Sequence, residues 1–133
     1  MREKIAIALL CAAVLSGCST YHAVHDYVYG PPKVFIVFFP IKSADLTPDG
    51  IDIVKIAAMQ IQKQHPQAVQ IAAGVASGGN MEMSAPRFAA VRQKLVDDGV
   101  PEDLIARSAI ADPQLDKGPA RQRVEIRLLT NGP

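Results

Sequence analysis

From Val34 onward the chain is expected to fold as an α+β domain with the element order β-α-β-α-β-β. Three features carry this expectation. Val34-Phe35-Ile36-Val37-Phe38-Phe39 is an unbroken β-branched and aromatic run, the pattern of a strand covered on both faces. Two later segments repeat apolar residues at helical spacing and carry a proline in their first turn. Near the end, Val124, Ile126 and Leu128 alternate with Glu125 and Arg127, as in a strand with one wet face.

Taken in order, the first run closes at Pro40 and is expected to form the central strand. Thr47 offers a helix N-cap ahead of Pro48, and Ile51, Val54, Ala58 and Ile61 recur on one face until the His65-Pro66 break. Val69 to Ala73 is a short second strand, followed by a loop, Gly74 to Asn80, that holds Gly74, Gly78 and Gly79. Ser84 is placed to cap the second helix, with Pro86 in its first turn. Phe88, Val91 and Leu95 share a face, and Gly99 is the stop. Pro101 to Leu104 suits a helical turn, Ile105 to Ile110 a third strand, and Val124 to Leu128 a fourth.

The start of the chain has a different character. Arg2 and Lys4 precede an apolar run of eleven residues, Ile5 to Leu15, which ends in Leu15-Ser16-Gly17-Cys18. A bilayer span needs about 20 apolar residues, so the run is too short for an anchor and suits a signal peptide. The terminal tetrapeptide resembles the lipobox of bacterial lipoprotein precursors, with a branched residue at Leu15, small residues at Ser16 and Gly17, and the diacylglycerol-accepting thiol at Cys18. The resemblance implies a signal peptide over 1–17 and a mature chain held in the membrane by acyl chains, palmitate included, on Cys18. More than one chain makes such attachment stable. Sorting in many diderm bacteria depends on the residue after the cysteine. Ser19 is not the aspartate that resembles an inner-membrane retention signal, so the outer membrane is expected.

The chain from Cys18 to Pro133 has 116 residues, enough for one domain with a core. It carries 12 basic and 12 acidic side chains, so no long-range field favours nucleic acid. Of the two cysteines, Cys11 leaves with the signal peptide and Cys18 is acylated, which leaves no disulfide in an oxidising compartment. Residues 18–33 form the lipidated N-terminus and a tether rich in Tyr21, Tyr27, Tyr29, Gly30, Pro31 and Pro32. Fully extended, the tether reaches roughly 50 Å.

Over 34–133 several pieces stand in a telling serial order. They are Val37-Phe38-Phe39 before Ser43-Ala44-Asp45-Leu46-Thr47-Pro48-Asp49-Gly50, the Gly74 loop, Ser84-Ala85-Pro86-Arg87, Gly99-Val100-Pro101, and Arg121-Gln122-Arg123-Val124-Glu125-Ile126. Together they resemble the OmpA-like peptidoglycan-binding domain. The resemblance implies a two-layer sandwich in the periplasm that grips the diaminopimelate of the wall stem peptide. In that family a loop aspartate takes the ammonium and an arginine at the start of the second helix takes a carboxylate, a pairing suited to a zwitterion. Arg87 matches the arginine. Ser77 stands where the aspartate should be, in a loop shorter than the family pattern, and Glu82 is the nearest acid. A terminal asparagine-arginine-arginine run borders the family's site. Arg121-Gln122-Arg123 keeps its last arginine in register, with Arg121 still able to face an anion.

Other motifs carry less. The glycines of the loop are not followed by a lysine-serine or lysine-threonine pair, so they are not a phosphate-binding P-loop. His22 and His25 have no third ligand nearby, and no metal or other cofactor is expected. Neither Ser77 nor Ser84 has a histidine and acid close in sequence to activate it, and no catalysis is expected. The sequence therefore points to a non-enzymatic, outer-membrane lipoprotein. Its ligand-binding residues are Arg87, Ser77, Arg121 and Arg123, and its partner is peptidoglycan. If wall binding has been lost with the aspartate, the partner is another envelope protein.

Overall fold

The computed structural model describes residues 30–75, 82–110 and 122–131; Cys18, the tether up to Tyr29, Ser77 and Arg121 lie outside them. The chain divides between Pro32 and Lys33 into two units, and the second holds every element of the domain. These are β1 (Val34–Phe38), α1 (Pro48–Gln64), β2 (Ala68–Val75), α2 (Ser84–Asp97), a 3-10 turn (Glu102–Leu104), β3 (Ile105–Ile110) and β4 (Arg123–Leu129). The expected α+β class and element order are both present.

The strands form one mixed sheet in the order β1-β4-β2-β3. β2 and β3 are parallel, and α2 supplies the crossover that a parallel pair requires. β4 runs antiparallel to β1 on one side and to β2 on the other. α1 packs on β1 and α2 on β2, and the helices touch each other. The resulting second layer covers Phe35 and Val37 of β1, Val69, Ile71 and Ala73 of β2, and Val124, Ile126 and Leu128 of β4. Val54, Ala57, Ala58 and Ile61 of α1 and Val91 and Leu95 of α2 fill the core from above.

Each helix follows from local chemistry. The Thr47 hydroxyl accepts from the Gly50 amide at 3.1 Å, so the expected cap is made, and Pro48 occupies the first turn. A Cβ at Gly50 would lie 3.3 Å from a Val37 methyl carbon and 3.2 Å from Thr47 Oγ1, which explains why this turn, pressed onto β1, carries glycine. α1 ends at His65 in the left-handed conformation, φ 48°. Of the expected apolar face, Val54, Ala58 and Ile61 are buried, whereas Ile51 is exposed. α2 stops at Gly99, whose amide bonds to the Val96 carbonyl while the amide of Val100 bonds to that of Leu95.

β1 departs from expectation, since it lies at the edge of the sheet. Its even-numbered residues Val34, Ile36 and Phe38 point away from the helices and are exposed. An unbroken apolar run can mean two covered faces, but here it combines a core face with an apolar open face. Across from that stripe, register places Arg127, Glu125 and Arg123 opposite Val34, Ile36 and Phe38. The nominally wet face of β4 is in fact largely closed. Glu125 is only 7% exposed and is shared by two arginines, Arg123 and Arg127, whose side chains retain 13% and 28% exposure. Arg127 Nε donates to Glu125 Oε2 at 2.9 Å. Residues two apart share a face of a strand, so this Arg-Glu-Arg ladder is a direct product of the β4 alternation.

Replacing Glu125 by alanine leaves the partly buried Arg123 beside a like charge. The expected loss is about 2 kcal/mol, less than for a fully buried pair because Arg127 is partly solvated. Urea denaturation of Glu125→Ala reads this as a lower midpoint, with Glu125→Gln falling between it and the parent.

Candidate functional site

Of the residues singled out by sequence, Arg87 stands at the end of the sheet where β1, β2 and β3 finish and α2 begins, where Glu82 and Ser84 also lie. Ser84 is not the cap of α2. Met83 holds that position without a side-chain bond, and Ser84 is the first helical residue, 4% exposed. Its hydroxyl donates to the Ala73 carbonyl at 2.6 Å, fastening the start of α2 to the end of β2. There the strand is irregular: its pairing with β3 shifts register between Ala72 and Val75. Gly74 adopts φ +83°, a conformation that costs glycine least.

Arg87 lies in the first turn of α2 and is 6% exposed. Its Nε donates to the Ser43 carbonyl at 2.8 Å and Nη2 to the Pro40 carbonyl at 3.1 Å. The guanidinium also sits over the Phe39 ring, 5.3 Å from its centroid. The turn that offers these carbonyls is itself built locally. The Ser43 amide bonds back to Pro40 O at 3.2 Å, Lys42 takes φ 53°, and the Ser43 hydroxyl accepts from the Asp45 amide at 3.0 Å. Burial lowers the Arg87 pKa from its ordinary value, but a guanidinium stays protonated at any physiological pH. Carbonyl dipoles and an aromatic face help to compensate its charge. Arg87 therefore clasps the turn after β1 to the start of α2.

The other sequence candidates fall into two groups. Arg123 lies on the opposite face of the sheet from α2 and is bound to Glu125, so the fold does not bring it together with Arg87 on one face. Ser77 and Arg121 are outside the described residues. Glu82, exposed, occupies the turn just before α2. Sequence reasoning missed Arg107. This β3 residue is exposed, donates through Nη2 to Ser84 Oγ at 3.1 Å and stands 5.4 Å over the Phe88 ring. A shallow groove of about 380 Å³ opens between the end of β1 and the start of α1, lined by Phe38, Phe39, Pro40, Thr47, Asp49, Gly50 and Ile53; neither Arg87 nor Glu82 lines it.

The clasp predicts that Arg87→Ala lowers folding stability by about 2 kcal/mol, since the carbonyls of Pro40 and Ser43 lose their charged donor. Arg87→Lys is expected to recover part of this at most, because an ammonium lacks the planar fork that meets two carbonyls and a ring at once. Thermal and urea unfolding of the two variants measure both effects.

No protein-family profile matches the chain, and no curated protein matches it. Solved structures do. The OmpA-like domain of FopA1 from Francisella tularensis superposes with a TM-score of 0.59 at 16% identity, over 74% of this chain and 75% of that one. The C-terminal domain of Helicobacter pylori MotB gives 0.59 at 19% identity, over 77% and 88%. The peptidoglycan-associated lipoprotein from Burkholderia pseudomallei gives 0.51 at 16% identity, over 71% and 88%. The fold of this domain is thus the one these envelope proteins share, a mixed four-stranded sheet under two helices, as in an OmpA-like domain.

Proposed function

We propose that this protein is a cell-envelope lipoprotein, lipidated on Cys18 in the outer membrane, whose periplasmic OmpA-like domain binds peptidoglycan non-covalently and tethers membrane to wall. The observation that carries this reading is the placement of Arg87. It stands in the first turn of α2, beside the end of β2, in a fold shared with a peptidoglycan-associated lipoprotein. That is where a wall-peptide carboxylate is held in the OmpA-like pattern, and in sequence Ser77 takes the place of that pattern's loop aspartate. Arg121, from the stretch leading into β4, completes the proposed ligand contacts; Arg123, on the opposite face of the sheet and bound to Glu125, stands apart from them. The protein acts by binding and not by catalysis.

A second reading has its own support. Arg87 gives two donors and its ring face to the domain itself, and Ser77 offers no charge to an ammonium. On this reading the domain is a docking module of an envelope complex that no longer holds the wall.

The full chain, solubilised in mild detergent and mixed with purified sacculi at low salt, separates the two. Wall binding places it in the pellet, and recovery in the supernatant leaves the docking module. Ser77→Asp restores the acid, and since charge-assisted bonds are roughly twice as strong as neutral ones, it is expected to raise retention severalfold. For the anchor, Cys18→Ala is expected to abolish acyl labelling in cells and to accumulate unprocessed precursor; normal maturation of that variant removes the lipoprotein assignment.

A further inference from the structure

The two edges of the sheet are built differently. At the β1 edge the Lys33 carbonyl accepts from the Leu128 amide and the Phe39 amide donates to the Gln122 carbonyl, both at 2.7 Å. Between them Phe35 and Val37 face Ile126 and Val124. The odd-numbered residues thus direct their backbone groups at β4, and the alternation of an antiparallel ladder turns the N–H and C=O of Val34, Ile36 and Phe38 outward. These three also carry the exposed apolar side chains of the strand, and among the described residues no strand lies beyond it. Edge strands are ordinarily guarded by a charge, a proline or a bulge. β3 has the exposed Arg107 and a shift of register. β1 has neither charge nor proline from Val34 to Phe38, and its pairing is regular.

The helical layer continues this apolar edge. Gln62 of α1 donates to the Asp98 carbonyl, which marks the side of α1 that faces α2. Ile53 precedes Gln62 by nine residues, about 180° around a helix of 3.6 residues per turn. It therefore looks the other way, over β1, and lines the groove with Phe38 and Phe39. Ile56, three residues on and half exposed, lies on the same side.

We infer that β1 pairs antiparallel with β1 of a second copy of this chain, about a twofold axis at Ile36, joining two four-stranded sheets into one of eight. In that register Ile36 meets its twin and Val34 meets Phe38 of the copy, and each pair exchanges both backbone bonds. Every outward group of the strand is then satisfied, and the small end of each apolar stripe lies against the large end of the other. The axis runs through the sheet, so both helical layers fall on one face of it. Two helices over four strands leave about 10 Å of sheet to each helix, the spacing at which helices pack, so the two α1 helices meet through Ile53 and Ile56. This complementarity in both layers singles out a second copy, since an unrelated strand satisfies the backbone but leaves the two isoleucines uncovered. Pro32 and Pro40 stand on either side of the strand and limit the ladder to it, and the twofold closes the assembly at two. The dimer presents the candidate site twice, whichever partner that site takes.

The test is oxidative cross-linking of the full chain in mild detergent, with one cysteine placed in β1 and the parent chain as control for Cys11 and Cys18. Directly paired residues stand about 5.5 Å apart between Cα atoms, within reach of a disulfide. Val34 and its twin are roughly 13 Å apart, beyond that reach. Ile36→Cys is therefore expected to give a covalent dimer and Val34→Cys alone a monomer, while Val34→Cys mixed with Phe38→Cys gives the mixed dimer. Ile36→Lys sets two like charges face to face and is expected to weaken self-association roughly tenfold in analytical ultracentrifugation, with the circular dichroism of the parent; if that spectrum is lost, the cysteine set decides alone. A parent that stays monomeric overturns the inference, as does Ile36→Cys that fails to cross-link or Val34→Cys that cross-links to itself as readily. A dimer that survives a folded Ile36→Lys overturns it too. So does capture of another protein, in place of the copy, by Ile36→Cys in intact envelopes.

Discussion

β4 is the last strand in the chain, and it lies between the first and the second, hydrogen-bonded to both along most of its length. Without it, β1 has no partner in the sheet, and β2 is paired only with β3. Val124, Ile126 and Leu128 of β4 bring to the core the residues over which α1 and α2 close. The constraint is therefore non-local: residues near 34 and near 127 must meet before the sheet has a middle, and such pairings are reached late and slowly because their loop entropy precedes their reward. Glu125 answers a difficulty that this central position creates. A strand with neighbours on both sides buries part of its outer face, and an acid there is tolerable because Arg123 and Arg127 flank it on the same face.

The helical layer depends on a second long-range tie. Arg87 and the carbonyls it binds are 44 and 47 residues apart in sequence, so the guanidinium spans from α2 to the turn that leads into α1. That turn also forms one wall of the groove beside Gly50 and Ile53. Close approach of α1 to β1, made possible by the absent side chain at Gly50, and the Arg87 clasp hold the same corner from two directions. A change at either position is felt at the other through the Pro40 to Ser43 turn.

Much of this was legible in the sequence, and what was not has identifiable causes. The Thr47 cap, the His65-Pro66 break and the alternation of β4 are local signals, and each stands where periodicity and capping chemistry put it. β1 was placed correctly along the chain but wrongly within the sheet. Val34, Ile36 and Phe38 are as apolar as their core-facing neighbours, and hydropathy alone cannot distinguish a covered strand from an edge strand with a greasy outer face. Ser84 matched the composition of a cap, yet it bonds to Ala73, a strand residue whose position no local pattern reveals. For the same reason, the place of Arg87 was readable but its partners were not: they are backbone carbonyls, which have no sequence signature. Arg107 carried no signal, because its significance arises only when β3 meets the first turns of α2.

The difference between the two arginines is one of accessibility, and it bears on how an anion could be held here. A carboxylate that uses Arg87 must replace carbonyl acceptors or share the guanidinium with them, in a place that burial already makes unfavourable for charge. Replacing the carbonyls would leave acceptors of the turn without their donor, a penalty comparable to the gain from one charge-assisted bond. At Arg107 the fork is at the surface, and its orientation is set by Ser84 and Phe88. The buried arginine keeps the corner in shape, and the exposed one stays open to solvent.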